Sequence, residues 1–583
     1  MSAQDLEIIT VKSADDLNVI PSASRDVVVL STHFNPNDKL QANDSTETRR
    51  LLDALSRVVK VGGWLFVYGT PRDLPTLGVH LMQWGDDTAK LTFKYWIALD
   101  IDDSPANGFL KPTHLGLLMF LKARADVATP QKFTLNTDTV RIPHLNCAAC
   151  GRTLKDWGGK KHLMNPRGAT MSDVWRDLPR CRITDSIIPD NVLKRVIDLT
   201  RVEGGTHLHV IQESGARDRN AGGPPASSNA ETLETRGRAA RAPIAVAQDQ
   251  VLQTDCVSYL NDLATSNPEG VFDLAFADPP YNLQKLYGAY DDALAGHRYI
   301  EWCDAWLDGM ARSLKPGGSL FVLNLPQWCM HHAAFLNSRL EFRHWIVWDA
   351  LSDPRGKIMP AHYGLLYYTK PSAQPVFNYR QRGNPSRAET VSPPDSPKYC
   401  LRGGCIKERK RKGDDEKVSL SDIWFDIHRI KHKRDRDAHP CQLPEKLLER
   451  IIVLTTQPGG LIFDPFCGAG TTAIAAAKLG RHYIVTDVDS DYVRITRDKL
   501  AAMKNHADLF GHHVVPRNSV KRPRLASSKR EIETYLQNLA RKLGRAPTEQ
   551  DVQSDDAEML SKIDLAYPYR DAALKRAKIV LGV

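Results

Sequence analysis

Apolar positions along this chain follow two alternating rhythms. Short β-branched runs such as "DVVVL" (26–30) give way to stretches of helical spacing such as "WCDAWLDGMARSL" (302–314). That alternation predicts strands interleaved with helices, and so a doubly wound, largely parallel sheet with binding groups at the carboxyl ends of its strands. The rhythm is also written twice. "RDVVVLSTHFNPN" from Arg25 lines up with "FDLAFADPPYNLQ" from Phe272, and "VVKVGGWLFVYG" (58–69) with "SLKPGGSLFVLN" (313–324). "FKYWIALDI" (93–101) matches "FRHWIVWDA" (342–350), and "KPTHLGLLMFLK" (111–122) matches "MPAHYGLLYYTK" (359–370). "MSDVWRDL" from Met171 and "PDNVLKRVIDLT" (189–200) answer "LSDIWFDI" from Leu420 and "PEKLLERIIVLT" (444–455). The offset stays at roughly 250 residues throughout, which marks an internal duplication. Shared composition alone does not explain matched turns such as Gly62-Gly63 and Gly317-Gly318.

The first copy is expected over 1–215 and the second over 246–510. Between them, 216–245 is rich in Gly, Ala, Pro and Ser, cannot bury a core, and is expected as a flexible linker. From about residue 525 the apolar positions return to helical spacing, broken at Gly544 and Pro547, so 525–583 is expected as a small C-terminal helical domain. Its "LGRAPTEQDV" turn is similar to helix-turn-helix modules, and a packing appendage is the other reading.

Composition adds little to this picture. A chain of 583 residues is too long for a single core. A net charge of +9 leans mildly toward a polyanionic partner. Ten Cys in such a length do not make a secreted disulfide framework, and neither a signal peptide nor a long apolar run is seen. The expectation is a soluble, cytoplasmic protein without a membrane partner.

Two stretches of the second copy carry candidate chemistry. After an apolar run, Asp278-Pro279-Pro280-Tyr281 puts an acid, two stiff residues and an aromatic at a strand tip. Further on, "IFDPFCGAGTTAIAAAKLGRHYIVTD" reads as strand, Gly-rich turn, helix and a second strand ending in Asp487. Gly468 and Gly470 permit a sharp turn and close approach to a ligand. An acid at the next strand end suits a pair of ribose hydroxyls. The third glycine of the dinucleotide fingerprint is missing, so no pyrophosphate need be held.

Together these stretches resemble the beta class of S-adenosylmethionine-dependent DNA amino-methyltransferases, the adenine-N6 and cytosine-N4 enzymes. The order of tip, intervening region and cofactor loop is that of the class. The resemblance implies tandem Rossmann-like methyltransferase folds, the first degenerate, in an α/β protein. It implies Asp278, Pro279, Pro280 and Tyr281 as the catalytic tip. Asp464, Phe466, Gly468, Gly470, Thr471, Thr472 and Asp487 would then bind S-adenosylmethionine, and Asp255 would contact its adenine. "HPCQLPEKLLERII" (439–452) resembles the segment that closes over the cofactor, with Leu443 where the family has lysine. An acid at the first tip position is commoner in adenine-N6 enzymes. The leading expectation is therefore site-specific methylation of adenine N6 in double-stranded DNA. Cytosine-N4 methylation, RNA adenine methylation and a non-enzymatic DNA-binding pseudo-methyltransferase are the alternatives.

The first copy has Ser31, Thr32, His33 and Phe34 at the tip positions, His209 in place of Asp464 and Glu213 in place of Gly468. It then enters the linker without the ribose-binding strand. Since beta-class enzymes commonly pair, the chain is expected to be an intramolecular pseudo-dimer with the first copy as scaffold and DNA platform. Two features remain. Basic runs at 406–415 and 426–440, within a recognition insert around 375–440, suit phosphate contacts. Cys147 with Cys150, and Cys400 with Cys405, fall at equivalent places in the two copies. They supply one shared four-thiolate structural zinc site or two sites completed by local His, the alternative being unpaired structural Cys.

Overall fold

The repeated apolar runs become the central strands of two mixed sheets. The computed structural model describes residues 6–33, 46–101, 110–125, 135–154, 164–179, 186–201, 204–213, 246–283, 292–350, 357–378, 399–400, 402–412, 420–430, 442–505 and 529–556, with isolated positions at 133, 162, 182, 559 and 563. The first sheet contains β1 (Leu6–Val11), β2 (Arg25–Ser31), β3 (Val59–Gly69), β4 (Ala89–Asp100), β5 (His114–Arg124), β6 (Val174–Trp175) and β7 (His207–Gln212), in the order β1-β7-β2-β3-β5-β4-β6. The second contains β8 (Gln250–Gln253), β9 (Phe272–Ala277), β10 (Leu314–Asn324), β11 (Glu341–Asp349), β12 (His362–Thr369), β13 (Ile423–Trp424), β14 (Leu461–Asp464) and β15 (His482–Asp487), in the order β13-β11-β12-β10-β9-β14-β15-β8.

Taken from the opposite edge, the first order matches the second with one strand fewer. β15 stands between β8 and β14, whereas β1 pairs directly with β7. Among the described residues, the first sheet thus has no counterpart of the strand that ends in Asp487. The expected linker at 216–245 lies outside the described residues. Both sheets are parallel except at β5 and β12, each antiparallel to its two neighbours.

Strand character follows burial. β9 is buried at every position but Asp273, as a parallel strand covered on both faces requires. Asp273 accepts from Leu461 N at 2.8 Å and Lys315 Nζ at 2.9 Å, which fixes β9 against the start of β14. The matched turn glycines Gly62 and Gly317 adopt φ of +87° and +77°, a region costly for side-chain-bearing residues.

By its contacts the chain forms two compact bodies. The larger comprises Met1–Pro279 and His297–Arg497 and contains both sheets; the smaller comprises Pro280–Gly296 and Asp498–Val583. In the smaller body, helices Lys529–Leu543 and Glu549–Asp555 share a core of Ile532, Leu536, Leu539, Val552, Met559 and Ile563. The spacing of the first three places them on one helical face. No described helix is long and apolar enough to cross a membrane.

Within the larger body the two copies exchange equivalent segments. Trp96 and its repeat partner Trp345 are both buried and stack on one another at 3.9 Å and 14°. Lys111 N donates to Leu420 O at 3.2 Å and Asp422 N to Lys111 O at 3.1 Å. At the equivalent place Met359 N donates to Met171 O at 2.9 Å and Asp173 N to Met359 O at 3.2 Å. Each copy's Ser-Asp-x-Trp segment therefore docks on the turn before the other's antiparallel strand.

The two buried aspartates differ in their surroundings. Asp422 accepts from Thr113 N at 2.7 Å and Thr113 Oγ1 at 2.8 Å, and His114 Nδ1 lies 3.2 Å away. Burial opposes its charge, but His114 and His344 hold its carboxyl below the usual range. Asp173 accepts from Ala361 N at 2.8 Å and His362 N at 3.1 Å. Tyr95 stands where the second copy has His344, and burial pushes Asp173 up to about 7.

Opposite pH signs follow. Asp422, depressed on folding, contributes stability above the ordinary carboxylate range that is lost as pH falls through it. Asp173, raised on folding, binds more protons folded than unfolded between about 4 and 7, so its contribution declines as pH rises there. At pH 8, Asp422→Asn is expected to cost about 3 kcal/mol. Asp173→Asn keeps both backbone acceptor contacts, should cost under about 1 kcal/mol, and should gain on the wild type between pH 5 and 8. Denaturant titrations at the two pH values check this; equal losses in both variants would refute the asymmetry.

Candidate active site

Four adjacent parallel strands, β9, β14, β15 and β8, end at the same edge of the second sheet, and the candidate residues lie just beyond them. Asp278 and Pro279 follow β9, the former half-buried and the latter buried. The boundary between the two bodies falls inside the tip, leaving Pro280 and Tyr281 in the smaller one. There the loop is held by a residue that sequence reading did not single out. Asp292, only 2% exposed, accepts from Asn282 N at 2.7 Å and Leu283 N at 3.0 Å. Asn282 is left-handed at φ +55° and donates its Nδ2 to Leu294 O at 2.8 Å. Asn tolerates that backbone region better than most residues, which was the available signal.

The Gly-rich turn is built around two carboxylates. Asp464, at the end of β14, accepts from Phe466 N at 2.9 Å and Thr472 Oγ1 at 2.5 Å. It is buried, and burial pushes its carboxyl up to about 7 despite those two donors. Asp464 and Thr472 therefore tie the strand to the first turn of helix Thr471–Lys478. Asp487, ending β15, accepts from Gly468 N at 2.9 Å and Asp489 N at 3.0 Å, and burial raises its carboxyl above the usual range. Cys467 N donates to Thr486 O at 2.9 Å and Thr486 Oγ1 to Pro465 O at 3.0 Å, so the turn is fastened along β15. Phe466 packs against Trp302 and Trp306, with ring centroids at 5.5 and 5.3 Å.

Gly470 caps the helix with φ +81° and ψ +21°. A Cβ there would lie 2.6 Å from Thr496, whose hydroxyl donates to Gly468 O at 3.1 Å. Asp255 follows β8 as the N-cap of helix Cys256–Ser266, accepting from Ser258 N at 2.8 Å and Ser258 Oγ at 2.9 Å. Thr254 N donates to Asp487 O at 3.0 Å, which sets the ends of β8 and β15 side by side.

In the first copy the equivalent positions satisfy each other. Ser31, at the place of Asp278, lies 2.9 Å from Nε2 of His209, at the place of Asp464. Ser31 Oγ also accepts from Ile188 N at 3.0 Å, and Thr32 Oγ1 donates to Tyr68 O at 2.8 Å. Burial pushes His209 down to about 4, so it is neutral near pH 7. Phe34 lies outside the described residues. The four cysteines converge elsewhere, with all sulfurs within 4.8 Å of one another.

Residues 272–498 match a family model described as DNA methylase. This segment of the chain is similar to that family. M.BamHI, a type II methyltransferase of Bacillus amyloliquefaciens, is 35% identical over 238 residues, covering 40% of this chain and 52% of its own. M1.MboII, a type II methyltransferase of Moraxella bovis, is 29% identical over 255 residues, covering 42% and 94%. The crystal structure of an M1.HpyAVI–SAM complex is 21% identical, covers 43% and 98%, and has a TM-score of 0.29. The present chain thus spans about half the length of M.BamHI. The matched segment includes Asp278, the Gly-rich turn and Asp487, whereas Asp255 and the first copy precede it.

Gly470→Ala places a side chain in a left-handed position and against Thr496. It should cost about 2 kcal/mol and loosen the turn, measured as a lower unfolding midpoint and faster amide exchange at Gly468.

Proposed function

We propose that this chain is an S-adenosylmethionine-dependent DNA amino-methyltransferase acting on adenine N6, with the second copy active and the first an inactive platform for DNA. The observation that carries this reading is the position of Asp278 at one end of a strand edge whose neighbours β14 and β15 present the Gly-rich turn and Asp487. The residues fit the cofactor. Asp487 uses its oxygens for two backbone amides, and a carboxylate has capacity for roughly four donors, so two hydroxyls can be added. Gly468 and Gly470 keep the turn free of side chains where backbone must approach a ligand.

S-adenosylmethionine, when bound, supplies an electrophilic methyl group on a sulfonium. The work left to this chain is orientation and charge. An exocyclic amine is a poor nucleophile because its lone pair is delocalised into the ring. Asp278 and the Pro279 carbonyl are acceptors for the two amine hydrogens. Accepting both favours a pyramidal nitrogen, points the lone pair away from the ring and stabilises the positive charge that develops. The prolines limit reorganisation of these acceptors. A base handled this way must first leave its duplex stack. Acid at position 278 favours adenine over cytosine as the target. Lys407, Lys410, Arg411 and Lys412 on helix Gly403–Lys412 are exposed and suit phosphate contacts.

Asp278→Ala should reduce methyl transfer to duplex DNA by at least about a thousandfold while calorimetric affinity for S-adenosylmethionine is retained. His33→Ala should leave turnover intact. Mass spectrometry of digested nucleosides should find N6-methyladenine. N4-methylcytosine would replace the base assignment, and methylation of RNA alone would replace the substrate. Loss of turnover in His33→Ala with cofactor binding preserved would move the active site to the first copy.

A further inference from the structure

We propose that Cys147, Cys150, Cys400 and Cys405 bind one structural zinc ion that staples the two copies together. The sulfurs of Cys147 and Cys405 are 3.8 Å apart, those of Cys150 and Cys400 are 3.7 Å apart, and all four lie within 4.8 Å of one another. Four thiolates about 2.3 Å from a tetrahedral zinc would sit about 3.8 Å apart along each edge. A disulfide would need about 2.05 Å, so neither close pair is bonded. Sulfurs this close also leave no room for an iron–sulfur cluster inside the set.

Each pair is presented by a local structure suited to ligation. Asn146 and Thr153 bridge a tight hairpin in which Cys147 N donates to Arg152 O at 2.7 Å and Gly151 N to Cys147 O at 2.8 Å. Gly151, at φ +65°, turns the chain directly after Cys150. Both sulfurs of that hairpin therefore face the second copy. Cys405 stands in the first turn of helix Gly403–Lys412 and Cys400 just before it. Cys147 and Cys400 are buried, whereas Cys150 is exposed.

A cation lies beside the four sulfurs. Arg409, one turn beyond Cys405, is 1% exposed, stacks on Tyr399 at 4.6 Å and turns its guanidinium toward the Cys405 sulfur. A zinc ion with four thiolates would carry a net charge of −2, and the Arg409 guanidinium beside Cys405 would offset part of it. Because each copy contributes only two ligands, the metal binds the joined copies and not either alone. Its binding free energy therefore adds to their association.

The test uses the full chain purified under reducing conditions. Elemental analysis should find one zinc per chain. Cys150→Ser, at an exposed position, should lower zinc content at least about tenfold. Cys256→Ala, buried outside the cluster, should leave it unchanged. Cobalt exchanged for zinc should give the intense visible bands of a tetrahedral tetrathiolate site, a readout that does not depend on any variant folding. Removing the metal should lower the unfolding temperature, and zinc should restore it. Metal-free folded protein with four titratable thiols, two disulfides between the copies, or a single iron would each overturn the proposal.

Discussion

Two buried aspartates, each satisfied by the other copy's backbone, are the constraint on which the arrangement of the larger body rests. Asp173 and Asp422 leave water only because the turns at Ala361–His362 and Thr113–His114 supply their donors. An unsatisfied buried carboxylate would cost several kcal/mol, so neither segment is stable without its reciprocal partner. The stacked Trp96–Trp345 pair adds apolar area and geometry between the two exchanges.

Joining the copies also permits them to diverge. The second retains an acid at the end of β9, the Gly-rich turn after β14 and an acid at the end of β15. In the first, Ser31 and His209 pair with each other, and β1 closes directly onto β7 where the ribose-binding strand would stand. Among the described residues the sheet stays continuous across that place. On the proposed function, one copy carries the chemistry and the other supplies surface, buried donors and two zinc ligands.

The site itself is a matter of preorganisation. Asp487 holds Gly468 and Asp489, Asp464 holds Phe466 and Thr472, and Thr496 sits where any side chain on Gly470 would collide. These bonds fix the turn. Asp464 holds the turn through Phe466 N and is itself held by the Thr472 hydroxyl. Phe466 joins an aromatic cluster with Trp302 and Trp306.

The sequence by itself determined the local chemistry: strand and helix rhythm, the matched runs, the stiff acidic tip, the Gly-rich turn and the different residues at those places in the first copy. All are properties of neighbouring residues, where propensity, spacing and side-chain type are read directly. Only the tertiary structure decided which distant groups meet. Nothing in the spacing of Cys147 and Cys150 states that Cys400 and Cys405 will close on them, or that Arg409 will be buried alongside. Nor does the repeat reveal that Asp422 faces two histidines while Asp173, with Tyr95 beside it, faces none in that position. Those outcomes depend on how one sheet is placed against the other, and that placement is set by long-range packing and buried hydrogen bonds, which no stretch of neighbouring residues encodes.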